Sequence, residues 1–382
     1  MNSRGHQPEN PFLRLGHAFT RTADRATTLW QSITDGIAVN LLWEQFKADA
    51  QAGYKFYATD VDWASFEGHR KARRRLHAAR ALTWALLRKL APARRVFLLL
   101  ILAFVVFAII ETNGDLNILV VAVALLLLLA LELADRVTMK RDLEIARDIQ
   151  KWLVPETPPA VAGADIAFTT RPANTVSGDY YDAFRRSENE GGGLLLVVAD
   201  VAGKSIPAAL LMATIQASLR SLAASPLALA DVVAGLNRYA CGNSLAGARF
   251  TTAFLAEWDG ATNMLTYINA GHNPPIVKRA SGLVERLEAG GLPLGIRANG
   301  AYNLGRTGLS RGDLLVIFSD GIVEAQDQTE AEFGESRLLG ALTAMRPATA
   351  RQALQQILST VDAFVGQTRQ HDDMTAVIFL VQ

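Results

Sequence analysis

Residues 194–205 have the sequence LLLVVADVAGKS, and residues 314–321 have the sequence LLVIFSDG. Each stretch begins with five or six apolar residues rich in leucine, valine and isoleucine, which predicts a buried strand. Each strand ends at an aspartate, Asp200 or Asp320, and a glycine follows within three residues. These two buried strands, both ending in a carboxylate, decide the fold class and locate the candidate site.

The segments around these strands predict an α+β domain. Residues 250–258 and 264–268 form two further predicted strands, and the Asp259-Gly260 pair between them is a strong hairpin signal. A last strand covers residues 374–381. Because hairpins join neighbouring strands directly, we expect antiparallel sheets. Helical patterns lie between the strands, over residues 207–224, 229–239, 335–345 and 351–364.

Aspartates recur where the predicted strands begin or end, at positions 179, 200, 320 and 372. Because strand ends gather at one edge of a sheet, these negative charges repel one another unless cations bind them. Carboxylate oxygens with glycine neighbours suit Mg²⁺ or Mn²⁺, and two such ions ~3.5–4 Å apart can activate a water for attack on a phosphoryl group. Each aspartate alone is also consistent with a turn or a helix cap. Their joint occurrence favours a metal site.

The composition excludes several other classes of protein. The chain has 382 residues, with 38 Lys+Arg against 37 Asp+Glu, and hydrophobic residues make up 50%. A net charge of +1 argues against nucleic acid as a partner recognised by overall positive charge. The apolar content excludes a disordered chain. The single cysteine, Cys241, excludes an intramolecular disulfide and a cysteine-based zinc site.

The excess of apolar residues is concentrated in residues 93–134. Residues 96–110 are apolar without a break, and residues 116–134 are nearly so. The two runs predict a transmembrane helical hairpin, with a soluble helical hairpin as the alternative. Residues 76–95 and 135–151 each carry five basic side chains, and the loop between the runs carries none. The positive-inside rule then places both termini, and with them the C-terminal domain, on the cytoplasmic side of the membrane.

The hairpin separates an N-terminal region from a linker. We expect residues 1–92 to be a cytoplasmic helical region, to which the sequence assigns no function. Residues 135–155 form a predicted helical linker, part of a helix over 132–153 that contains neither glycine nor proline. The linker either packs on its own domain or pairs with a second copy in a homodimer. Prolines end it, so the catalytic domain is predicted over residues 156–382. The predicted apolar face comprises Leu143, Ala146, Ile149 and Leu153.

Residues from about 140 to 382 resemble the metal-dependent protein phosphatase family (PPM, protein phosphatase 2C-like), in its bacterial SpoIIE/RsbU branch. The resemblance implies a β-sandwich of antiparallel sheets flanked by helices, with a two-metal site at one edge. The matching stretches occur in the family's order: EIARDIQKWLVP (144–155), NTVSGDYYD (174–182), VVADVAGKSIPAALLM (197–212), FTTAFLAEWD (250–259), YINAGHNPP (267–275), GGLPLGI (290–296), LLVIFSDGIVEA (314–325) and HDDMTAVIF (371–379).

The resemblance also implies roles for individual residues. The backbone carbonyl of Val201 matches a further ligand of the two Mn²⁺ or Mg²⁺ ions. Asp182 and Asp373 match positions that support the ligands. His272 is either a general acid for the leaving oxygen or, as we favour, a turn residue that shapes the sheet edge. Four aspartates match the acidic ligands of the family: Asp179, Asp200, Asp320 and Asp372.

Together these implications predict a membrane-anchored serine/threonine phosphoprotein phosphatase with a water activated by two metal ions. By resemblance, its substrate is a phosphoprotein of a bacterial partner-switching pathway, such as an anti-sigma-factor antagonist. The resemblance also makes the helix over 132–153 a candidate regulator of the metal site. Two alternatives stay open: a non-catalytic membrane-tethered scaffold, and a nucleotide cyclase. A cyclase also uses two aspartates and two metals, but it leaves the SDG and HDDMT stretches unexplained.

Overall fold

The computed structural model describes residues 80–81, 84, 92–110, 114–186, 193–203, 206–243 and 249–382. The chain divides into two compact units, Met1–Ala134 and Asp135–Gln382. The predicted helical region over residues 1–92 lies almost entirely outside the described residues. Lys204 and Ser205, which belong to one of the matching stretches, also lie outside them.

The first unit contains two apolar helices at the positions of the predicted hairpin. Helix α1 covers Pro92–Ile110, and helix α2 begins at Gly114 and continues to Leu153. Within this unit the guanidinium of Arg94 forms an ion pair with Glu132 at 3.0 Å. Many of the apolar side chains are exposed, including Leu100 and Leu126, each at 63%. The prediction of two apolar helices is confirmed.

Among the described residues, two helices are long and apolar enough to cross a membrane, Ile118–Leu153 and Ile206–Ala223. The second has five buried side chains and belongs to the core of the catalytic domain. The apolar part of the first has no buried side chain. Length and composition alone are weak support for a span, so the transmembrane hairpin stays a prediction.

In the second unit, the C-terminal part of α2 is the predicted linker helix. It ends at Leu153, two residues before Pro155, as predicted. Leu143, Ala146 and Gln150 are half-buried, whereas Ile149 is 50% exposed. The predicted apolar face is therefore wrong in one position, because Gln150 occupies the buried face in place of Ile149.

The catalytic domain is built on two sheets. The sheet order is β1-β11-β10-β6-β7 in one and β2-β3-β4-β5-β8 in the other, where β9 also pairs with β5. All pairs are antiparallel except β5 with β8. The strands of the first sheet are β1 (Ala164–Arg171), β6 (Ile276–Lys278), β7 (Val284–Arg286), β10 (Leu314–Phe318) and β11 (Met374–Val381). Those of the second are β2 (Asp179–Arg185), β3 (Leu194–Val201), β4 (Thr251–Asp259), β5 (Met264–Ala270), β8 (Gly290–Gly291) and β9 (Gly305–Gly308).

Helices cover the outer faces of both sheets. The remaining helices are α3 (Ile206–Ala223), α4 (Leu229–Gly242), α5 (Asp320–Val323), α6 (Gly334–Ala344) and α7 (Ala350–Val365). One apolar core lies between the sheets, a second under α3 and α4, and a third under α6 and α7. The predicted α+β architecture, with sheets flanked by helices, is confirmed.

Strand β3 shows why the deciding stretch is apolar without alternation. Leu194, Leu196 and Val198 face the core between the sheets, whereas Leu195 and Val197 face the core under α3 and α4. A strand covered on both faces needs apolar residues at every position. The same alternation turns Asp200 toward the space between the sheets, at the end of the strand.

Candidate active site

The four predicted acidic ligands lie at one end of the sandwich. Asp179 begins β2 and is the direct partner of Asp200 in the register between β2 and β3. Asp320 follows the end of β10, and Asp372 precedes the start of β11. Because β10 and β11 are antiparallel neighbours, these positions share one edge of the first sheet. We call Asp179, Asp200, Asp320 and Asp372 the acidic edge.

Burial and neighbouring negative charges raise the pKa values of two members of the acidic edge, Asp179 and Asp200. Asp179 is only 3% exposed, and its burial together with the charge of Asp200 raises its pKa well above the ordinary value. Burial also raises the pKa of Asp200 to about 7, with contributions from the charges of Asp320, Asp372 and Asp373. Carboxylates from both sheets therefore repel one another at this edge.

The donor atoms of the acidic edge fit a divalent cation. Within the described part of the chain, the buried Oδ2 of Asp179 has no hydrogen-bond partner. Hard carboxylate oxygens next to a backbone carbonyl are the ligands that Mg²⁺ and Mn²⁺ prefer. No group of three or more Asp, Glu, His or Cys side chains among the described residues is arranged as a ready metal cage. The fit therefore rests on charge and on the unpartnered oxygen.

Two glycines bring backbone close to the acidic edge. A Cβ atom on Gly321 would lie 2.1 Å from the carbonyl oxygen of Asp373, so only glycine lets the first turn of α5 approach the start of β11. A Cβ atom on Gly178 would lie 3.2 Å from the carbonyl oxygen of Val201. The structure thus places the Val201 carbonyl beside the loop that leads into Asp179.

Asp373 holds the loop that precedes Asp179. Its Oδ1 accepts a hydrogen bond from the amide of Ala173 at 2.7 Å. Its Oδ2 accepts hydrogen bonds from the Ser177 hydroxyl and from the Gly178 amide, both at 2.8 Å. All three donors come from the loop between β1 and β2. The contacts place Asp373 where it fixes the approach to Asp179, and its role in supporting metal ligands stays a prediction.

Asp182 lies on the other face of β2. It is fully buried, and its carboxylate accepts two hydrogen bonds from the Arg220 guanidinium, both at 2.8 Å. The hydroxyl of Tyr180 donates a further one at 2.5 Å. Because side chains alternate along a strand, Asp182 points toward α3 and not toward Asp179. The prediction that Asp182 supports the metal ligands is not matched by its contacts, which belong to a separate ion pair.

His272 supports the sheet edge through hydrogen bonds. Its Nδ1 lies 3.0 Å from the hydroxyl of Thr252, which is the register partner of Asp200 on β4. Its backbone amide donates to the side chain of Asn269 at 2.7 Å. Burial lowers the pKa of His272 to about 4, so the ring is neutral near pH 7. A neutral ring favours the structural interpretation over the general acid.

Two contributing residues were missed by the sequence reasoning. Ser177 is 3% exposed, and its hydroxyl accepts a hydrogen bond from the Asp179 amide at 3.0 Å. Gln150 of α2 binds the backbone of Ser177. Both residues lie inside matching stretches of sequence, but a serine before a glycine and a glutamine in a helix carry no signal of their own.

The sequence is similar to proteins of one phosphatase family. The profile of the family described as Stage II sporulation protein E (SpoIIE) matches residues 190–382, half of the chain. The phosphoserine phosphatase RsbU of Bacillus subtilis (strain 168) is 31% identical over 241 residues, which cover 63% of this chain and 70% of RsbU. The chain belongs to the SpoIIE family. The predicted family is thereby confirmed, and so is the enzyme class, protein serine/threonine phosphatase.

Further similarities agree with the SpoIIE-family assignment. The phosphoserine phosphatase RsbP of Bacillus subtilis (strain 168) is 26% identical over 192 residues, and the chain spans 47% of its length. The solved SiaA-PP2C domain of Pseudomonas aeruginosa superposes with a TM-score of 0.57 at 20% identity, over 65% of this chain and 99% of that domain. The solved phosphatase domain of SpoIIE from Bacillus subtilis, with a fragment of its regulatory domain, gives 0.51 at 18% identity, over 57% and 62% of the two chains. At these identities the solved structures establish the shared fold.

Proposed function

We propose that this SpoIIE-family chain is a membrane-anchored, Mn²⁺- or Mg²⁺-dependent phosphatase that hydrolyses phosphoserine and phosphothreonine in proteins. The observation that carries the proposal is the acidic edge itself. Four aspartates share one end of the sandwich, and one buried carboxylate oxygen, Oδ2 of Asp179, has no hydrogen-bond partner among the described residues.

The residues of the acidic edge would hold two ions, together with the carbonyl of Val201. When bound, the ions supply an activated water and neutralise the charge of the phosphoryl group. Asp179 and Asp200 face each other across β2 and β3, so that one pair of strands fixes both carboxylates. Asp373 holds the loop before Asp179 through three hydrogen bonds. His272 is neutral near pH 7 and maintains the position of β4 through Thr252.

The experiment that tests the proposal uses the full chain purified in detergent. Phosphate release from a phosphoserine peptide is followed with Mn²⁺, with Mg²⁺ and with EDTA. We expect release that requires the metal and that Asp320→Ala abolishes. Asp231→Ala, which changes an exposed aspartate on α4, is the matched control and should retain full activity. Release that persists in EDTA, or an active Asp320→Ala variant, would contradict the proposal.

The proposed substrate is a phosphoprotein of a partner-switching pathway, such as an anti-sigma-factor antagonist. The similarity to RsbU over 70% of its length supports this choice. Dephosphorylation of candidate antagonist proteins by the purified chain tests it. A substrate of this class should be hydrolysed with a higher kcat/KM than the short peptide, because it offers contacts beyond the phosphorylated residue.

The proposed location is the inner membrane, with both termini and the catalytic domain in the cytoplasm. The apolar helices α1 and α2 and the basic residues on both sides of them support it. The chain should remain with membranes after a carbonate wash. Trypsin added to intact spheroplasts should leave the catalytic domain uncut, and cleavage from the outside would contradict the orientation.

We also propose that two linker helices pair in a homodimer. Ile145, Ile149 and Trp152 form an exposed apolar stripe on the linker, with 51%, 50% and 82% exposure. In a Cys241→Ser background, Ile149→Cys should give a disulfide-linked dimer on mild oxidation. The neighbouring Asp148→Cys is the control, and equal cross-linking at both positions would contradict pairing through the stripe.

A further inference from the structure

Gln150 of the linker binds the backbone amide and the backbone carbonyl of Ser177, which lies in the loop between β1 and β2. Its Nε2 donates a hydrogen bond to the carbonyl oxygen of Ser177 at 2.6 Å. Its Oε1 accepts a hydrogen bond from the amide of Ser177 at 2.9 Å. The side-chain amide thus pairs with the Ser177 backbone as a neighbouring strand would. A single side chain uses its donor and its acceptor on the same residue, which fixes both position and orientation.

Ser177 is hydrogen-bonded directly to Asp179, so fixing Ser177 also fixes the backbone of Asp179. The Ser177 hydroxyl accepts a hydrogen bond from the Asp179 amide at 3.0 Å and donates one to Asp373 at 2.8 Å. Ser177 and Asp179 are both 3% exposed. The chain of contacts therefore runs from Gln150 through Ser177 to the amide of Asp179, whose Oδ2 has no hydrogen-bond partner among the described residues.

The loop that Gln150 holds borders a cavity. A cavity of about 340 Å³ is lined by Gln150, Ser177 and Asp179, and Met212 of α3 also contributes to its wall. Apolar packing does not fill the space on this side of the loop. The hydrogen bonds from Gln150 and Asp373 consequently carry the positioning that side-chain packing supplies elsewhere in the domain.

We infer that Gln150 is a positioning residue of the active site, which orients Asp179 for the divalent cation by clamping the Ser177 backbone. This inference rests on the proposed function, since it concerns how the chain binds the metal ion. It also gives the linker a defined contact with the site, because Gln150 lies one helical turn before the end of α2. Residues that orient metal ligands typically change metal affinity by about 10–100-fold when they are mutated.

The test measures Mn²⁺ binding to the full chain by titration calorimetry, alongside kcat and the Mn²⁺ concentration for half-maximal activity. Gln150→Met keeps the length and the helix propensity of the side chain and removes both hydrogen bonds. We expect the Mn²⁺ dissociation constant to rise at least about tenfold. We also expect kcat at saturating Mn²⁺ to change less than about threefold, because the clamp acts on metal binding. A residue with only a structural role would lower the melting temperature and leave the metal affinity of the folded fraction unchanged.

Two further variants complete the test. Gln355→Met makes the same change at an exposed glutamine of α7 and should leave Mn²⁺ binding unchanged. Gln150→Glu retains the acceptor for the Ser177 amide and loses the donor, so its Mn²⁺ affinity should also fall. Variants at Gln150 that bind Mn²⁺ as tightly as the parent overturn the inference while the proposed function stands. A parent chain that binds no Mn²⁺ overturns both.

Discussion

The two faces of strand β2 carry two buried aspartates with opposite surroundings. Asp182 is fully buried, and Arg220 and Tyr180 satisfy its carboxylate. Asp179 is three residues away on the other face and is equally enclosed, yet its Oδ2 has no hydrogen-bond partner among the described residues. A buried carboxylate is stable when a cation compensates its charge. On the face toward α3 the protein supplies that cation as an arginine, whereas on the face toward the first sheet we propose that a metal ion supplies it.

The largest effect that we expect is on catalysis. Asp179→Asn removes one proposed ligand charge and should lower kcat/KM about a thousandfold, because metal ions stabilise the transition state by several kcal/mol. Asp182→Asn should change kcat/KM less than about threefold below its melting temperature. Phosphate release from a phosphoserine peptide at saturating Mn²⁺ provides the comparison. Equal losses in the two variants would remove the distinction between the two faces.

The next effect concerns stability. Here we expect the larger change on the face of Asp182 and not on the face of Asp179. Arg220→Ala leaves Asp182 buried without its ion-pair partner and also removes the guanidinium that lies 3.8 Å from the ring centre of Phe184. Because Asp182 is fully buried while the Arg220 side chain is 42% exposed, removing the arginine should lower the free energy of unfolding by about 2–3 kcal/mol. Urea denaturation of the metal-free chain measures it. Ala substitution at Arg351, an exposed arginine on α7, is the control and should cost less than about 0.5 kcal/mol.

The pH dependence of stability should reveal the repulsion between carboxylates at the acidic edge. The pKa of Asp200 is raised to about 7 in the folded chain, above its value in the unfolded chain. The folded chain then holds more protons between about pH 4 and 7, so this group lowers the free energy of unfolding as the pH rises through that window. In EDTA, Asp200→Asn should therefore gain about 1–2 kcal/mol relative to the parent between pH 5 and pH 8.

The same pH series contains its own controls. In the parent, saturating Mn²⁺ should abolish the fall in the free energy of unfolding between pH 5 and pH 8. In Asp200→Asn, saturating Mn²⁺ should have no such effect. If the free energy of unfolding depends on pH in the same way in the parent chain and in Asp200→Asn, the carboxylates of the acidic edge do not repel one another in the folded chain.

The smallest effect is expected at His272. His272→Asn can retain a hydrogen bond to Thr252 and should lower kcat less than about tenfold, since the ring is neutral near pH 7. A general acid would contribute about 100- to 10,000-fold. Steady-state kinetics at pH 6, 7 and 8 decide between the two roles. A loss of that size, together with the disappearance of a pH-dependent limb, would make His272 the acid.

The sequence was sufficient for the elements whose pattern is local. The apolar runs ending at Asp200 and Asp320 predict β3 and β10, and Asp259-Gly260 predicts the hairpin between β4 and β5. Short strands such as β6 and β7 were not predicted, since three residues are too few to show alternation. β6 pairs with β7 and also with β10, which is distant in the chain.

The candidate site was predictable to the level of its acidic residues and no further. The resemblance supplies the four aspartates, and the structure brings them to one end of the sandwich. The resemblance assigns Asp182 a role in supporting the ligands and gives no sign of its ion pair, because the partner, Arg220, is 38 residues from Asp182 in the chain. For the same reason Ile149 was assigned to the buried face of the linker, where the structure has Gln150.

The central claim is that metal ions compensate the acidic edge in the way that Arg220 compensates Asp182. The most direct measurement is an anomalous difference map from crystals of the full chain grown with Mn²⁺. We predict two peaks ~3.5–4 Å apart among Asp179, Asp200, Asp320 and Asp372, and no peak beside Asp182. A map without peaks at the acidic edge, from crystals of a chain that hydrolyses the phosphoserine peptide, would contradict the account.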